Sequence, residues 1–377
     1  MASSSNTGDS NCDYCIAFDD VLDAAARISD TVHRTPVLTS STIMMKGREQ
    51  EGEAIRCYDD GKNFFFKCEA LQKTGSFKFR GALNAIRSKV QELEKEEAGN
   101  EVSNLQVVTH SSGNHAQAIA LASKLSSSAQ VNVQATIVMP NNAPTVKKAA
   151  VQSYGATIVE VEPTNEARQA ESNRIVQNDP NSVFIHPSEN PYVIAGQGTV
   201  CYEFIDQLRE MQVHTLDVVI IPVGGGGLAS GNITYLRGLF GRQRIKIVLA
   251  EPEVLDDAKR SFESQTLLKH DPANKLQSVA DGLKTTLGPN TWPIIRDLVD
   301  DIMAVSEREI LRCTKLVWER LKVMIEPSAG VGVAVAQSRE FNQKYPKSQG
   351  YNNVGIILCG GNVDIVETCT KMKQAGL

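Results

Sequence analysis

Eight short apolar runs recur along this chain, each separated from the next by a stretch long enough to form a helix. They cover Phe64 to Cys68, Gln106 to His110, Gln134 to Met139, Thr157 to Val161, Val183 to His186, Val218 to Val223, Lys246 to Ala250 and Gly355 to Leu358. Most are β-branched and unbroken, which is the pattern of strands covered on both faces rather than on one. Between them the apolar spacing turns helical, as in Gly81 to Glu97, Asn114 to Ser127, Thr145 to Tyr154, Glu166 to Gln177, Ile194 to Met211 and Glu307 to Leu321. Alternation of this kind folds into α/β layers with parallel sheets.

That architecture says where to look for function. In open parallel sheets, ligands bind at the carboxyl ends of strands, where loops enter helices. Three such exits stand out: Ser111-Ser112-Gly113-Asn114-His115, Gly224-Gly225-Gly226-Gly227 and Cys359-Gly360-Gly361-Asn362. The glycine run lets backbone N–H groups approach an anion with no Cβ in the way, and the following helix presents its positive end. No lysine follows at Walker spacing, so it is not a P-loop. The serine turn can cap a helix through Ser112 or Asn114, and the same N–H groups can hold a carboxylate. Upstream, Lys78 sits between aromatic and small residues in Gly75-Ser76-Phe77-Lys78-Phe79-Arg80-Gly81-Ala82. A lysine amine, a phosphate-sized glycine loop and two polar turns are the parts of a pyridoxal phosphate site, where the amine forms an imine with the aldehyde.

Composition narrows the partners. The 377 residues suffice for two domains or one large one, and the net charge of −5 gives no reason to expect nucleic acid or an anionic membrane. No apolar run reaches the roughly 18 residues of a membrane span. Cys12, Cys15, Cys57, Cys68, Cys201, Cys313, Cys359 and Cys369 are spread over the chain, which suits reduced thiols better than a disulfide framework. Met1 to Asp13 is polar, with neither a secretory core nor an Arg-rich transit pattern, and reads as a disordered tail. Lys46 to Lys62 reads as an exposed loop. Glu251 and Asp257, just past a strand, have the oxygen chemistry of a Mg²⁺, Mn²⁺ or Ca²⁺ site, and equally that of a solvated acidic loop. The six histidines show no zinc spacing; His186 ends an expected strand where it can border a ligand.

From about Ala17 to Asp364 the chain resembles the fold-type II pyridoxal phosphate enzymes, the tryptophan synthase β-like family that holds serine and threonine dehydratases and amino-acid racemases. The stretches that carry the resemblance are Thr74 to Ala85, His110 to His115, Ala195 to Thr199, Pro222 to Gly227 and Asn290 to Asp301, the last being similar to the animal racemases. The resemblance implies two open parallel-sheet α/β domains, the smaller inserted in the larger. Residues 1–15 would be a tail, 16–105 and 189–377 the cofactor-binding domain, and 106–188 a small mobile domain. It implies interconversion of L- and D-serine with side elimination to pyruvate and ammonia. The alternative is an ammonia-lyase for threo-3-hydroxyaspartate, serine or threonine; a non-catalytic cofactor binder is the remote one.

Roles carry over residue by residue on the same basis. Lys78 would hold the cofactor and act as base on one face of the substrate, and Ser112 would be the acid/base on the other. Phe77 and Gly282 would sandwich the ring, Asn114 would contact its 3-hydroxyl, Gly224 to Gly227 would hold its phosphate, and Cys359 would face its ring nitrogen. Ser111, Ser112, Asn114 and His115 would bind the substrate carboxylate, with Arg168 as a gating residue and Ser188 in the pocket wall. Glu251, Asp257 and the carbonyl of Leu255 would bind the divalent cation. ATP as activator, a homodimer and a cytoplasmic location follow from the same resemblance. Two positions depart from the family pattern. Cys359 stands where racemases usually have serine, although some serine dehydratases share the cysteine. Ser188 stands where an asparagine is common. Many threonine dehydratases have alanine in place of Ser112, so this serine is the residue that favours racemisation.

Overall fold

The computed structural model describes residues 14–40, 61–96, 102–270 and 277–377. The expected tail over 1–13 and most of the expected loop over 46–62, with Cys12 and Cys57, lie outside them. After helix α1 (Phe18–Ile28) come a short strand β1 (Val37–Thr39), β2 (Asn63–Cys68) and helix α2 (Lys78–Glu96). Strands and helices then alternate through β3 (Ser103–His110), α3 (Asn114–Ser126), β4 (Val131–Pro140), α4 (Thr145–Ser153), β5 (Thr157–Val161), α5 (Asn165–Asn178) and β6 (Ser182–Phe184). The remainder runs α6 (Pro191–Glu210), β7 (Val218–Pro222), α7 (Gly227–Phe240), β8 (Lys246–Pro252), α8 (Asp257–Ser264), α9 (Thr291–Leu298) and β9 (Asp301–Val305). It closes with α10 (Glu307–Arg320), α11 (Pro327–Gln337), α12 (Arg339–Lys344), β10 (Asn353–Leu358) and α13 (Ile365–Gln374).

Two sheets result. The larger has the order β1-β2-β10-β7-β8-β9 and the smaller β5-β4-β3-β6. Every pairing is parallel except β1 with β2. That antiparallel edge and β9 were not read from the sequence. β1 is three residues long with a polar end, and β9 opens on an aspartate, so neither carries a β-branched run of any length. β7 is buried throughout and α11 has no exposed residue, packing across β7, β8 and β10. The edge strand β5 is largely accessible. The smaller sheet has its own core, in which Leu105, Val107, Ile119 and Ile137 meet Phe79, Leu83, Ile86 and Val90 of α2. No helix of the described residues is long and apolar enough to cross a membrane.

A buried cluster of charges fixes the start of α2. Arg80 and Lys67 are fully buried, as is Glu69. Arg80 grips Glu69 through Nε to Oε2 at 2.8 Å and Nη2 to Oε1 at 2.9 Å, and Glu203 through Nη1 at 2.7 Å. Lys67 Nζ donates to Glu203 at 2.9 Å, to Gln207 at 2.7 Å and to the Thr35 carbonyl at 2.8 Å. Two cations thus meet two anions with their remaining protons satisfied, which is the condition under which buried charge is tolerated. Glu69→Ala would leave Arg80 partly unpaired in that interior. It is expected to lower the unfolding free energy by about 3–5 kcal/mol, read from urea denaturation. A loss below about 1 kcal/mol would show that the cluster is energetically equivalent to a surface pair.

Candidate active site

Two turns are fastened together beneath the lysine. Thr74 and Gly75 both take left-handed backbone, with φ of 59° and 72°. The turn they make is tied to the exit of β10. Gly361 N–H donates to Gly75 O at 2.8 Å, Phe77 N–H to Cys359 O at 3.1 Å, and Asn362 Nδ2 to Thr74 O at 2.7 Å. Ser76 and Gly360 form a single bridge. This lets α2 begin at Lys78, three residues ahead of the Gly81 start expected from the periodicity. Lys78 Nζ donates to the Pro187 carbonyl at 2.8 Å and lies 5.1 Å from the centre of the Phe77 ring. Burial lowers the Lys78 ammonium to about 8, against the opposing pull of Cys359 and Glu326.

The smaller sheet brings in the serine turn. Its residues leave β3 at His110 and enter α3 at Asn114, with Gly113 as the N-cap and no side-chain cap bond. The expected capping by Ser112 or Asn114 is therefore not what the structure uses, and the first N–H groups of α3 have no capping side chain. Ser111 Oγ instead accepts the Gly113 N–H at 3.2 Å. Asn114 Nδ2 donates to both oxygens of Glu326, at 3.1 and 3.0 Å, while its Oδ1 accepts from Asn362 Nδ2 at 2.8 Å. His115 is buried with Nε2 3.3 Å from the Ile185 carbonyl, and burial keeps it neutral.

The glycine loop closes the far side. Gly226 has φ of 82°, a conformation that side-chain-bearing residues rarely adopt, and it caps α7 with no side chain to occupy the helix's first N–H groups. A Cβ on Gly225 would stand 2.6 Å from Ser188 Oγ, so this position has no room for one. Gly282 donates its N–H to Ser328 Oγ at 3.0 Å. β6 stops at Phe184, before the expected end at His186, because the His186 ring turns the chain. Its Nδ1 accepts the N–H groups of Ser188 and Glu189 at 3.2 and 3.0 Å. That fixes the neutral tautomer protonated at Nε2, and burial holds the ring's pKa at about 4.

These pieces line one cavity of about 1000 Å³. Phe77, Lys78, Ser111, Ser112, Asn114, His115, Arg168, Ser188, Gly224 to Gly227, Gly282 and Cys359 all reach it. Arg168 does so from α5, with its guanidinium held by Thr164 O and Asn165 Oδ1. Burial keeps the Cys359 thiol protonated. Glu326 was not among the residues expected from the sequence. It is 4% exposed, and burial raises its carboxyl to about 7. It is the sole charge between Lys322 and Arg339, and an isolated carboxylate in an apolar stretch is the signal that marks it. Lys147 and Asp281 also line the cavity and approach each other at 3.4 Å.

Glu251, Leu255 and Asp257 lie at the exit of β8, outside the cavity lining. The Glu251 carboxylate accepts the N–H groups of Ala258 and Lys259 at 3.3 and 2.7 Å, capping α8. Asp257 Oδ1 meets His270 Nδ1 at 3.1 Å and its Oδ2 has no hydrogen-bond partner. No group of three or more His, Cys, Asp or Glu side chains suited to a metal occurs among the described residues.

Comparison with known proteins bears directly on this cavity. The sequence model of the family described as "Pyridoxal-phosphate dependent enzyme" matches residues 31–360. Human serine racemase is 44% identical over 363 residues, covering 96% of this chain and 96% of its own. The structure of maize serine racemase superposes with a TM-score of 0.79 at 38% identity, covering 96% of this chain and 98% of its own. The processed form of threonine deaminase isoform 2 from Solanum lycopersicum superposes with a TM-score of 0.76 at 28% identity, covering 95% and 87%.

Proposed function

We propose, from the premise that this chain belongs to the pyridoxal-phosphate dependent enzymes, that it interconverts L- and D-serine and eliminates part of the serine to pyruvate and ammonia. One observation carries the reading: a half-buried amine, Lys78, and the hydroxyl turn at Ser112 line the same cavity as an uncapped glycine loop. The residues fit the cofactor. The loop leaves helix N–H groups for a phosphate, the Ser188 hydroxyl beside it has no hydrogen-bond partner, and the amine titrates near 8 instead of in the usual lysine range. Phe77 and Gly282 would flank the ring, Asn114 would meet its 3-oxygen and Cys359 its nitrogen. Bound there, pyridoxal phosphate would hold the substrate amine and accept the electron density released at Cα.

The protein's own groups do the rest. The open N–H groups at the start of α3, with Ser111, Asn114 and His115 around them, orient the substrate carboxylate. The neutral fraction of Lys78, enlarged because burial brings its pKa down to about 8, takes the α-proton from one face. Ser112 delivers a proton from the other, giving D-serine. If the β-hydroxyl leaves before that proton arrives, the product hydrolyses to pyruvate and ammonia. The neutral Cys359 thiol supports both outcomes, since it adds no charge that would favour one.

Incubating the cofactor-loaded protein and Mg²⁺ with L-serine, and measuring D-serine by chiral chromatography and pyruvate in the same tube, tests the reading. Both products are expected. Pyruvate alone would make it a dehydratase, and neither would overturn the assignment. Arg168 on the cavity wall favours a second reading, elimination from threo-3-hydroxyaspartate, whose extra carboxylate it can pair. A panel of hydroxy-amino acids including threonine separates the two by ammonia release.

A divalent cation, Mg²⁺, Mn²⁺ or Ca²⁺, belongs to the same reading at Glu251, Asp257 and the Leu255 carbonyl. Burial raises both carboxyls above their ordinary range, and the unpartnered Asp257 Oδ2 is what a cation would satisfy. Mg²⁺ at a hundredfold excess over its Kd is expected to stabilise the protein by about 2.7 kcal/mol, seen as a raised Tm that Glu251→Gln abolishes. An unchanged Tm with all three ions would remove the site. A homodimer, a cytoplasmic location and activation by ATP complete the proposal. Sedimentation, cell fractionation and turnover with and without ATP test them in turn.

A further inference from the structure

We propose that the Ser188 hydroxyl is a side-chain donor to the cofactor phosphate, completing a cradle otherwise built from backbone N–H groups. The inference rests on the cofactor reading above and gives Ser188 a different role from the substrate-wall position expected by resemblance. Ser188 is 3% exposed and lines the cavity, yet its Oγ has no hydrogen-bond partner. A buried hydroxyl left unpaired is unfavourable, so a native interior rarely keeps one without a ligand or water to meet it.

Its location says which ligand atom it would meet. A Cβ on Gly225 would lie 2.6 Å from Ser188 Oγ, and one on Gly227 would lie 3.1 Å from Ser188 Cα. The side chain therefore stands directly against the loop whose helix, α7, starts without a cap. A hydroxyl at that place adds a donor to those of the uncapped helix end, and O–H groups bond anionic oxygens more strongly than neutral ones.

The surroundings hold Ser188 in place. Its own N–H is fixed to His186 Nδ1, and Lys78 Nζ binds the carbonyl of the preceding Pro187. On the other side, Glu189 accepts the Asn290 N–H at 2.7 Å and the Thr291 hydroxyl at 2.9 Å. The Thr291 oxygen lies 3.1 Å from the Gly225 carbonyl, so the same segment braces the glycine loop from behind. These groups are committed to one another, and Ser188 Oγ stands against the loop without a partner.

The test compares wild type with Ser188→Ala, both stripped of cofactor, in titrations with pyridoxal phosphate and with pyridoxal, which lacks the phosphate. Binding is followed by visible absorbance. The variant is expected to bind pyridoxal phosphate about tenfold to a hundredfold more weakly, and pyridoxal within about twofold of wild type. Its apoprotein should melt no lower than wild type, since only an unpaired hydroxyl is removed. Unchanged affinity for pyridoxal phosphate would overturn the proposal, with a shift in KM for serine then restoring the substrate-wall role. Equal weakening for both ligands, or a destabilised apoprotein, would overturn it in favour of a purely structural serine. Failure of wild type to bind pyridoxal phosphate would overturn the cofactor reading itself.

Discussion

Replacing Lys78 by alanine is expected to reduce formation of both D-serine and pyruvate from L-serine by at least about 10⁴-fold. The size follows from two losses at one atom. The amine is the group that would hold the cofactor, and on the proposed reading it would also be the base for the α-proton of the L-enantiomer. Its setting suits both tasks: burial brings its pKa to about 8, and the Pro187 carbonyl at 2.8 Å fixes its direction. Lys78→Arg serves as the companion variant. It keeps a cation at the start of α2, yet guanidinium stays charged under all working conditions and takes no proton. Both variants should retain their fold by near-UV circular dichroism. Retention of more than about one per cent of either rate in Lys78→Ala would show that another group is the base.

Ser112→Ala is expected to separate the two products. Racemisation should fall by about 10²–10⁴-fold, the usual worth of a positioned acid or base, while pyruvate formation from L-serine continues near its original rate. Elimination from D-serine should fall with racemisation, because the α-proton of D-serine faces the opposite side from Lys78. The measurement is the rate of each product from each enantiomer, four numbers per variant. Equal losses in all four would sink the two-face assignment. Ser112 would then be a carboxylate-binding residue like its neighbour Ser111.

The parts of this site that were legible in the sequence are those whose chemistry is local. Four successive glycines after an apolar strand, or a serine-rich turn before a helix, report a backbone shape over a few adjacent residues, and the structure puts both on one cavity. The lysine turn was legible as a motif, but its mechanics were not. The left-handed Thr74 is stabilised by Asn362, which is 288 residues away. Glu326 is marked in the sequence only by its isolation in an apolar stretch, and that isolation does not say what it faces, since its partner Asn114 lies 212 residues upstream. In the fold, long buried strands were visible through their β-branched runs. β1 and β9 were not, since pairing alone makes them strands. The role of His186 in turning the chain away from β6 likewise depends on which ring atom faces the backbone, a matter that spacing does not encode.

The position of β10 has a bearing on how the protein comes into being. This strand lies between β2 and β7, with Asn353 opposite Asn63 and Val354 opposite Val218. The hairpin of β1 and β2 therefore has no seat in the larger sheet until residues 353–358 have been synthesised. The turn that presents Lys78 is completed by the same late segment, through Cys359, Gly361 and Asn362. At about 5–20 residues per second, the ribosome needs many seconds to pass from Lys78 to this strand. The partner turn of the lysine is available only after that later segment has been made. One strand therefore completes both the larger sheet and the turn that presents the lysine.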